Sequence, residues 1–380
     1  MEPDRFRTYH IIALLNAYTQ ETLPLDLLMH QYFRNNKAIG SKDRAVIADT
    51  LYGMVRWKGL LDHLCIKPAT WEQKLQRYRA IECARYASDP SLPQHVRLSF
   101  PKQLFECLVE SHGIEKAASL CLISNSPAPT TVRVNLMKTT REEMLALWGP
   151  QYSITPCLHS DTGITFLKKI NFFTLPEFQE GKFEIQDEGS QLIGQLVKPL
   201  PGQQVLDYCA GSGGKTLAFA PRMEGKGQIF LHDIRPNVLI EAKRRLRRAG
   251  IQNAQVISPA EESKLKRQKK QMDWVLVDAP CTGTGTMRRN PDMKWRFTSE
   301  MVKRLAGQQR MIFEQALSYL KPDGRIVYAT CSILAEENQR QVEHFIQTYG
   351  LSFEGDPLQI LPSSGGMDGF YGAVLKKNSH

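Results

Sequence analysis

The stretch Asp273–Gly285, DWVLVDAPCTGTG, decides how the chain is read. Its Trp274-Val275-Leu276-Val277 is a short apolar run without alternation, the pattern of a strand buried on both faces of a parallel sheet. The run ends in Asp278-Ala279-Pro280-Cys281: an acid, a rigid proline and a thiol. A second run, Arg325-Ile326-Val327-Tyr328, ends in Ala329-Thr330-Cys331-Ser332. An earlier one leads into a glycine-rich turn, Asp207-Tyr208-Cys209-Ala210-Gly211-Ser212-Gly213-Gly214-Lys215-Thr216. Open α/β sheets bind ligands at the carboxyl ends of their strands, so all three segments are expected along one sheet edge. Two thiols beside a nucleotide-type turn point to covalent chemistry on a bound substrate.

Outward from these segments, the chain alternates strand and helix from Gln186 onward. Strands are predicted near 203–207, 228–232, 254–258, 273–277 and 325–329. A helix is predicted over Pro236–Ala249, with proline at its start and Gly250 just past its end. Such alternation implies a parallel, doubly wound sheet. Residues 1–95 read instead as helices, with Ile11, Leu14, Leu15 and Tyr18, and then Val46, Ile47, Leu51, Met54 and Val55, at helical spacing. Ser41 is the expected N-cap of the second of these helices. A proline–serine cluster at 88–93 suggests a boundary. Residues 96–185 look mixed, with helices near 102–111 and 114–124 before an alternating strand at 130–135. Three domains, 1–95, 96–185 and 186–380, are therefore expected, as suits 380 residues.

Composition narrows the partners. With 42% hydrophobic and 23% charged residues the chain is ordinary for a globular protein. A formal net charge of +10 favours a polyanion, nucleic acid before an acidic membrane. The eight cysteines form no C-x-x-C pair, which argues against structural zinc, and no metal is expected. The N-terminus is charged and lacks an apolar signal core, and no run is long enough to span a bilayer. A reducing cytoplasm is the expected location, and there free thiols can act as nucleophiles.

The glycine turn offers backbone N–H groups at a helix start to a carboxylate or phosphate. Asp233 follows at the end of the next strand, placed to accept from ribose hydroxyls. Gly214-Lys215-Thr216 imitates the tail of a P-loop, but Cys209 stands where that motif needs glycine. Thr216 likewise breaks the dinucleotide fingerprint G-x-G-x-x-G.

At this point the chain resembles the RNA cytosine-5 methyltransferases, the RsmB/NOP/NSUN group. The matching segments are Gln186–Ser190, Asp207–Thr216, Asp273–Arg296, Tyr328–Asn338 (YATCSILAEEN) and Asp368–Tyr371. Ser41–Trp57 is similar to the NusB-like helical domain of RsmB-type members. The resemblance implies a Rossmann-like, doubly wound S-adenosylmethionine-dependent methyltransferase domain. An all-helical NusB-like domain and a small α+β RNA-binding subdomain would precede it. It implies Cys331 as the nucleophile that adds to cytosine carbon 6, Cys281 as the thiol that assists release, and Asp278 as a hydrogen-bonding partner of the base. Cofactor contacts would come from Cys209, Ala210, Gly211, Ser212, Gly213, Gly214 and Lys215, with Asp233 on the ribose and Asp278 near the methyl group. Arg288, Arg289 and Lys294 are candidate RNA-backbone contacts. The chain departs from the family pattern at Gly211-Ser212, where Ala-Pro is usual. It departs again at Ile257-Ser258-Pro259-Ala260, where an acid usually faces adenine; Ser258 or Glu261 is the available substitute.

The expected partner is RNA, ribosomal by domain order and transfer RNA as the alternative, bound by a monomer without membrane or metal. Arg5, Arg7, Arg34, Lys37, Lys42, Arg44, Arg56 and Lys58 make the helical segment the expected docking element. A non-catalytic RNA-binding factor would need neither Asp278 nor the two cysteines. DNA methyltransferases, which use the Pro-Cys thiol as nucleophile, lack the Thr-Cys-Ser partner.

Overall fold

The computed structural model describes residues 3–378; the two residues at each end of the expected outer domains lie outside the described residues. The chain divides into two compact units. One comprises the residues up to Pro127 together with Thr286–Ser299; the other comprises Ala128–Gly285 and the residues from Glu300 on. The proline–serine cluster at 88–93 lies inside the first of these units. The segment Thr286–Ser299, from much later in the sequence, returns to this first unit.

That unit is built on helices Pro3–Gln20, Leu25–Asn35, Ser41–Arg56, Lys58–Leu64 and Trp71–Ala80, followed by Lys102–His112 and Ile114–Ser124. Ile11, Leu14 and Leu15 face Leu25, Ile47, Leu51, Met54 and Val55 in one core, as their 3–4 spacing dictates. Ser41 is the first residue of its helix; Gly40 occupies the cap position and no side chain closes it, correcting the expected N-cap. Trp295, from the returned segment, packs on this core and donates its ring N–H to the Val55 carbonyl at 2.7 Å. Gly59 permits that approach, since a Cβ there would lie 2.7 Å from the Trp295 ring.

The second unit holds two sheets. Strands β1 (Thr130–Val134), β2 (Ile154–Pro156), β3 (Gly163–Phe166) and β4 (Phe183–Ile185) form a small antiparallel sheet in the order β2-β3-β1-β4. The large sheet contains β5 (Gln204–Asp207), β6 (Gln228–His232), β7 (Ala254–Ile257), β8 (Met272–Asp278), β9 (Leu320–Thr330), β10 (Leu351–Phe353), β11 (Leu358–Ile360) and β12 (Phe370–Lys377). Its order is β10-β12-β9-β8-β5-β6-β7, with β11 also paired to β12. From β9 to β7 all pairs are parallel. β12 runs antiparallel to β9, β10 and β11, which adds an antiparallel edge to the expected parallel sheet.

Alternate residues of β8 serve the two faces, as the pleat requires. Val275 and Val277 join a core with Phe313 and Phe345 from helices Ser299–Leu317 and Gln339–Tyr349. Trp274 and Leu276 join another with Ala242 and Leu246 from helix Pro236–Ala249. Helices on both faces bury the parallel strands and leave only their ends open to a ligand.

Candidate active site

The strand order sets the three sequence segments side by side. Asp278 on β8 is level with Ala329 on β9, and Asp207 on β5 with Leu276 on β8. Cys281 and Cys331 therefore leave adjacent strand ends, and their Sγ atoms lie 3.4 Å apart. Both residues keep partial exposure. Lys215, from the glycine turn, reaches the same point and meets Asp278 Oδ2 at 2.5 Å.

This arrangement makes the two thiols unequal. The hydrogen bond from Cys281, with further help from the Lys215 cation, holds the Cys331 thiol below its ordinary value against burial and the nearby Asp278 charge. The same hydrogen bond, then burial, pushes Cys281 well up. Burial pulls Lys215 down, but Asp278 outweighs it and keeps the ammonium charged. The two shifts bias Cys331 toward thiolate and Cys281 toward thiol, and thiolates are the nucleophilic form of cysteine.

The loop carrying Cys281 is packed at backbone level. Gly285 N–H donates to the Cys331 carbonyl at 2.9 Å, and Gly369 N–H to the Gly285 carbonyl at 2.9 Å. A Cβ on Gly285 would stand 2.1 Å from the Gly369 oxygen, so only glycine fits.

Beneath the glycine turn Thr216 Oγ donates to Asp207 Oδ2 at 2.6 Å, while the buried Asp207 Oδ1 has no hydrogen-bond partner. Burial pushes the Asp207 carboxyl up to about 7. Lys215 is spent on Asp278 and Thr216 on Asp207, which leaves neither for the phosphate and metal duties of a P-loop. The helix after the turn is a single α-turn, Thr216–Phe219, continued as a 3-10 turn, so the helix dipole adds less than the sequence suggests. Arg133 of β1 is buried behind the turn and donates to the Gly214 carbonyl at 2.9 Å and to Gln186. Arg245 holds Ser212 through both its carbonyl and its hydroxyl, at 3.0 and 2.7 Å. Arg245 thus fixes the turn at Ser212 and Arg133 fixes it at Gly214; no local sequence signal marks either as a site residue.

Asp233 accepts from Gly211 N–H and from the backbone and guanidinium of Arg235, which hold its carboxyl down although burial opposes them. The Arg235 side chain is 63% exposed, so its hydrogen bonds to Asp233 are the main contacts it would give up on moving. Gly211 and Gly213 have φ of +52° and +77°, and a Cβ on Gly211 would have only the Arg235 guanidinium within 4 Å. An unpartnered buried acceptor, an acid at the second strand end and an open glycine turn fit a ligand with a cationic amino-acid end and a ribose. On the adenine side Ser258 and Glu261 bond each other in a capping box, and Glu261 also bonds Lys264. Both candidate substitutes for adenine recognition are thus engaged locally.

The basic residues after Cys281 separate. Arg288 and Lys294 are 1% and 2% exposed, inside the helical unit. Lys294 Nζ donates to the Arg56 carbonyl at 2.6 Å and to Asn125 at 2.7 Å, above the Phe100 ring. Burial lowers its pKa strongly. Neither can meet an RNA backbone from there, which corrects that expectation; Arg289 remains half-exposed. Among the expected docking cations, Arg7 and Lys58 pair with Asp43 and Asp62, and Arg44 and Arg56 donate to main-chain carbonyls. Arg5, Arg34, Lys37 and Lys42 stay exposed. Among the described residues no cluster of histidine, cysteine or acidic residues could hold a metal ion, and no helix is long and apolar enough to cross a membrane.

The fold, with the relatives it shares, defines an S-adenosylmethionine-dependent RNA methyltransferase. A family model described as 16S rRNA methyltransferase RsmB/F matches residues 194–376, and a ferredoxin-like domain of the same group matches 100–172. Ribosomal RNA small subunit methyltransferase B of Vibrio vulnificus is 31% identical over 98% of this chain and 84% of its own length. The Proteus mirabilis protein of the same name is 30% identical over 88% and 77%. The chain belongs to the RsmB/F family of 16S rRNA methyltransferases. A solved methyltransferase homologue from Pyrococcus horikoshii, 26% identical, matches 76% of this chain and all of that one with a TM-score of 0.67. The structure titled PH0851 matches 99% of both chains at 0.81 and 22% identity, a likeness of fold.

Proposed function

We propose that the protein methylates carbon 5 of a cytosine in small-subunit ribosomal RNA through a covalent bond to Cys331. The observation that carries this reading is the pair of thiols 3.4 Å apart, one biased toward thiolate and the other toward thiol. Carbon 5 of cytosine is too electron-poor to attack a methyl group unaided. Addition of the Cys331 thiolate at carbon 6 forms an S–C bond and moves the ring's electron pair so that carbon 5 becomes nucleophilic. Asp278 hydrogen-bonds the ring-nitrogen edge and steadies the charge that develops there. Its Oδ2 is held by Lys215, which leaves Oδ1 for the base.

S-adenosylmethionine, when bound, supplies the electrophilic methyl group. The turn Cys209-Ala210-Gly211-Ser212-Gly213-Gly214-Lys215 and Asp207 would hold its amino-acid end, and Asp233 its ribose once Arg235 moves aside. Afterwards the carbon 5 proton leaves to a base, the S–C bond breaks and the aromatic ring is restored, with Cys281 assisting release. The base must be flipped or unpaired to reach the thiols. Arg5, Arg34, Lys37 and Lys42 support RNA docking on the helical unit, and the free cysteines suit a cytoplasmic protein acting as a monomer. With methyl-labelled cofactor and RNA lacking 5-methylcytosine, label should appear in cytosine. Full-rate labelling by Cys331→Ala would refute the assigned nucleophile.

A further inference from the structure

We propose that Glu337 and Asn338, consecutive residues, are positioning residues for the two thiols: Glu337 chiefly fixes the Cys281 loop, and Asn338 fixes the Cys331 loop. This rests on the covalent reading above for its consequence, though not for its geometry. Glu337 is fully buried. It accepts from Thr282 N–H at 2.9 Å, from Thr282 Oγ at 2.5 Å and from Gln309 Nε2 at 3.1 Å, and also from the Ser332 hydroxyl beside Cys331. The same Gln309 nitrogen donates to the Pro280 carbonyl at 3.1 Å. The residues on both sides of Cys281 are therefore tied to one carboxylate and its amide relay. Tyr328 completes the relay, its hydroxyl 3.1 Å from Gln309 Oε1 and 2.7 Å from the Glu337 carbonyl.

Asn338 does the same for the other thiol. Thr330 Oγ donates to Asn338 Oδ1 at 2.6 Å, and Asn338 Nδ2 donates to the Ser332 carbonyl at 2.9 Å. These are the residues on both sides of Cys331. Asn338 also occupies the N-cap of helix Gln339–Tyr349, yet its side chain caps nothing. Asparagine is among the best N-caps, and a filled cap is worth about 1 kcal/mol. Its amide is spent on the nucleophile's loop instead, which is the mark of a residue placed for function. A carboxylate buried among neutral hydroxyl and amide donors is equally costly for stability alone. Its negative charge faces Cys281 and favours the neutral thiol there, which agrees with the direction of that group's shift.

The test reads each thiol alone by iodoacetamide alkylation, followed by peptide mass spectrometry. In a Cys331→Ala background, Glu337→Gln should speed alkylation of Cys281 about tenfold, while Asn338→Ala leaves it within twofold. In a Cys281→Ala background, Asn338→Ala should change Cys331 reactivity, while Glu337→Gln, which removes a charge that also acts against Cys331, should raise it by less than it raises that of Cys281. Asn338→Asp, which keeps the acceptor for Thr330, replaces the alanine variant should that one fail to fold. Variants that alter both thiols equally, or neither, overturn the proposal. With both cysteines present and RNA added, Glu337→Gln should accumulate covalent adduct, whereas Asn338→Ala should form about 10- to 100-fold less. A change of adduct in the same direction in both variants also overturns it. If the alkylation pattern holds and no variant forms adduct, Cys281→Ala included, the positioning roles stand and the covalent reading falls.

Discussion

At the scale of single residues, the site is an exercise in making two identical groups different. Cys281 and Cys331 share a hydrogen bond, but Lys215 adds its charge in favour of a Cys331 thiolate, and Glu337 acts against ionisation of both. Cys331 should therefore alkylate at pH values below the ordinary thiol range, with its reactivity rising as pH climbs through its lowered pKa. Lys215→Met removes the cation, so the same rise should move to higher pH. A pH profile of alkylation that is identical in the two proteins would exclude Lys215 from this role. The cysteines are legible in the sequence because a thiol directly after an apolar strand is conspicuous. Glu337 and Asn338 close the matching segment Tyr328–Asn338, but nothing in the sequence assigns either a role. Only the fold shows that 337 and 338 are buried while Glu336 makes an ordinary ion pair with Arg340.

At the scale of elements, the parallel strands and the helix Pro236–Ala249 are predictable to within a residue or two, because uninterrupted apolar runs and the proline–glycine pair mark them, except that β9 begins at Leu320, five residues before its predicted start. The three strands at 351–353, 358–360 and 370–377 are not. Two are only three residues long, and their antiparallel pairing depends on partners that periodicity does not name. They matter, since the turn before β12 supplies Gly369, on which the Cys281 loop rests. Gly285→Ala should thus lose activity by about 100-fold or more through displacement of that loop. Thermal unfolding should still show a cooperative transition, and near-normal turnover would mean that the close approach of the two glycines is dispensable.

At the scale of the whole molecule, the +10 charge announces a polyanionic partner but not where it binds. Arg288 and Lys294 look like a basic loop in the sequence. Their burial depends on Phe100, Asn125 and Arg56, which are distant along the chain and invisible to any local reading. The two classes of cation should separate by experiment. Replacing Arg34, Lys37 and Lys42 by glutamate should weaken RNA binding and flatten its dependence on salt, by a slope of roughly 0.9 for each phosphate no longer neutralised. Lys294→Met should instead lower the melting temperature and leave that slope unchanged. A salt slope that responds to Lys294 and ignores the exposed cations would reverse the assignment.

The most direct measurement is to trap the protein on its RNA and find the bonded sulfur. The Cys281→Ala protein, incubated with S-adenosylmethionine and small-subunit ribosomal RNA lacking 5-methylcytosine, should give a complex that survives denaturing electrophoresis. After nuclease and protease digestion, mass spectrometry should find a methylated cytosine nucleotide on the peptide containing Cys331. A nucleotide bonded to another residue, or methylated RNA produced at the normal rate with Cys331 replaced by alanine, would contradict the account.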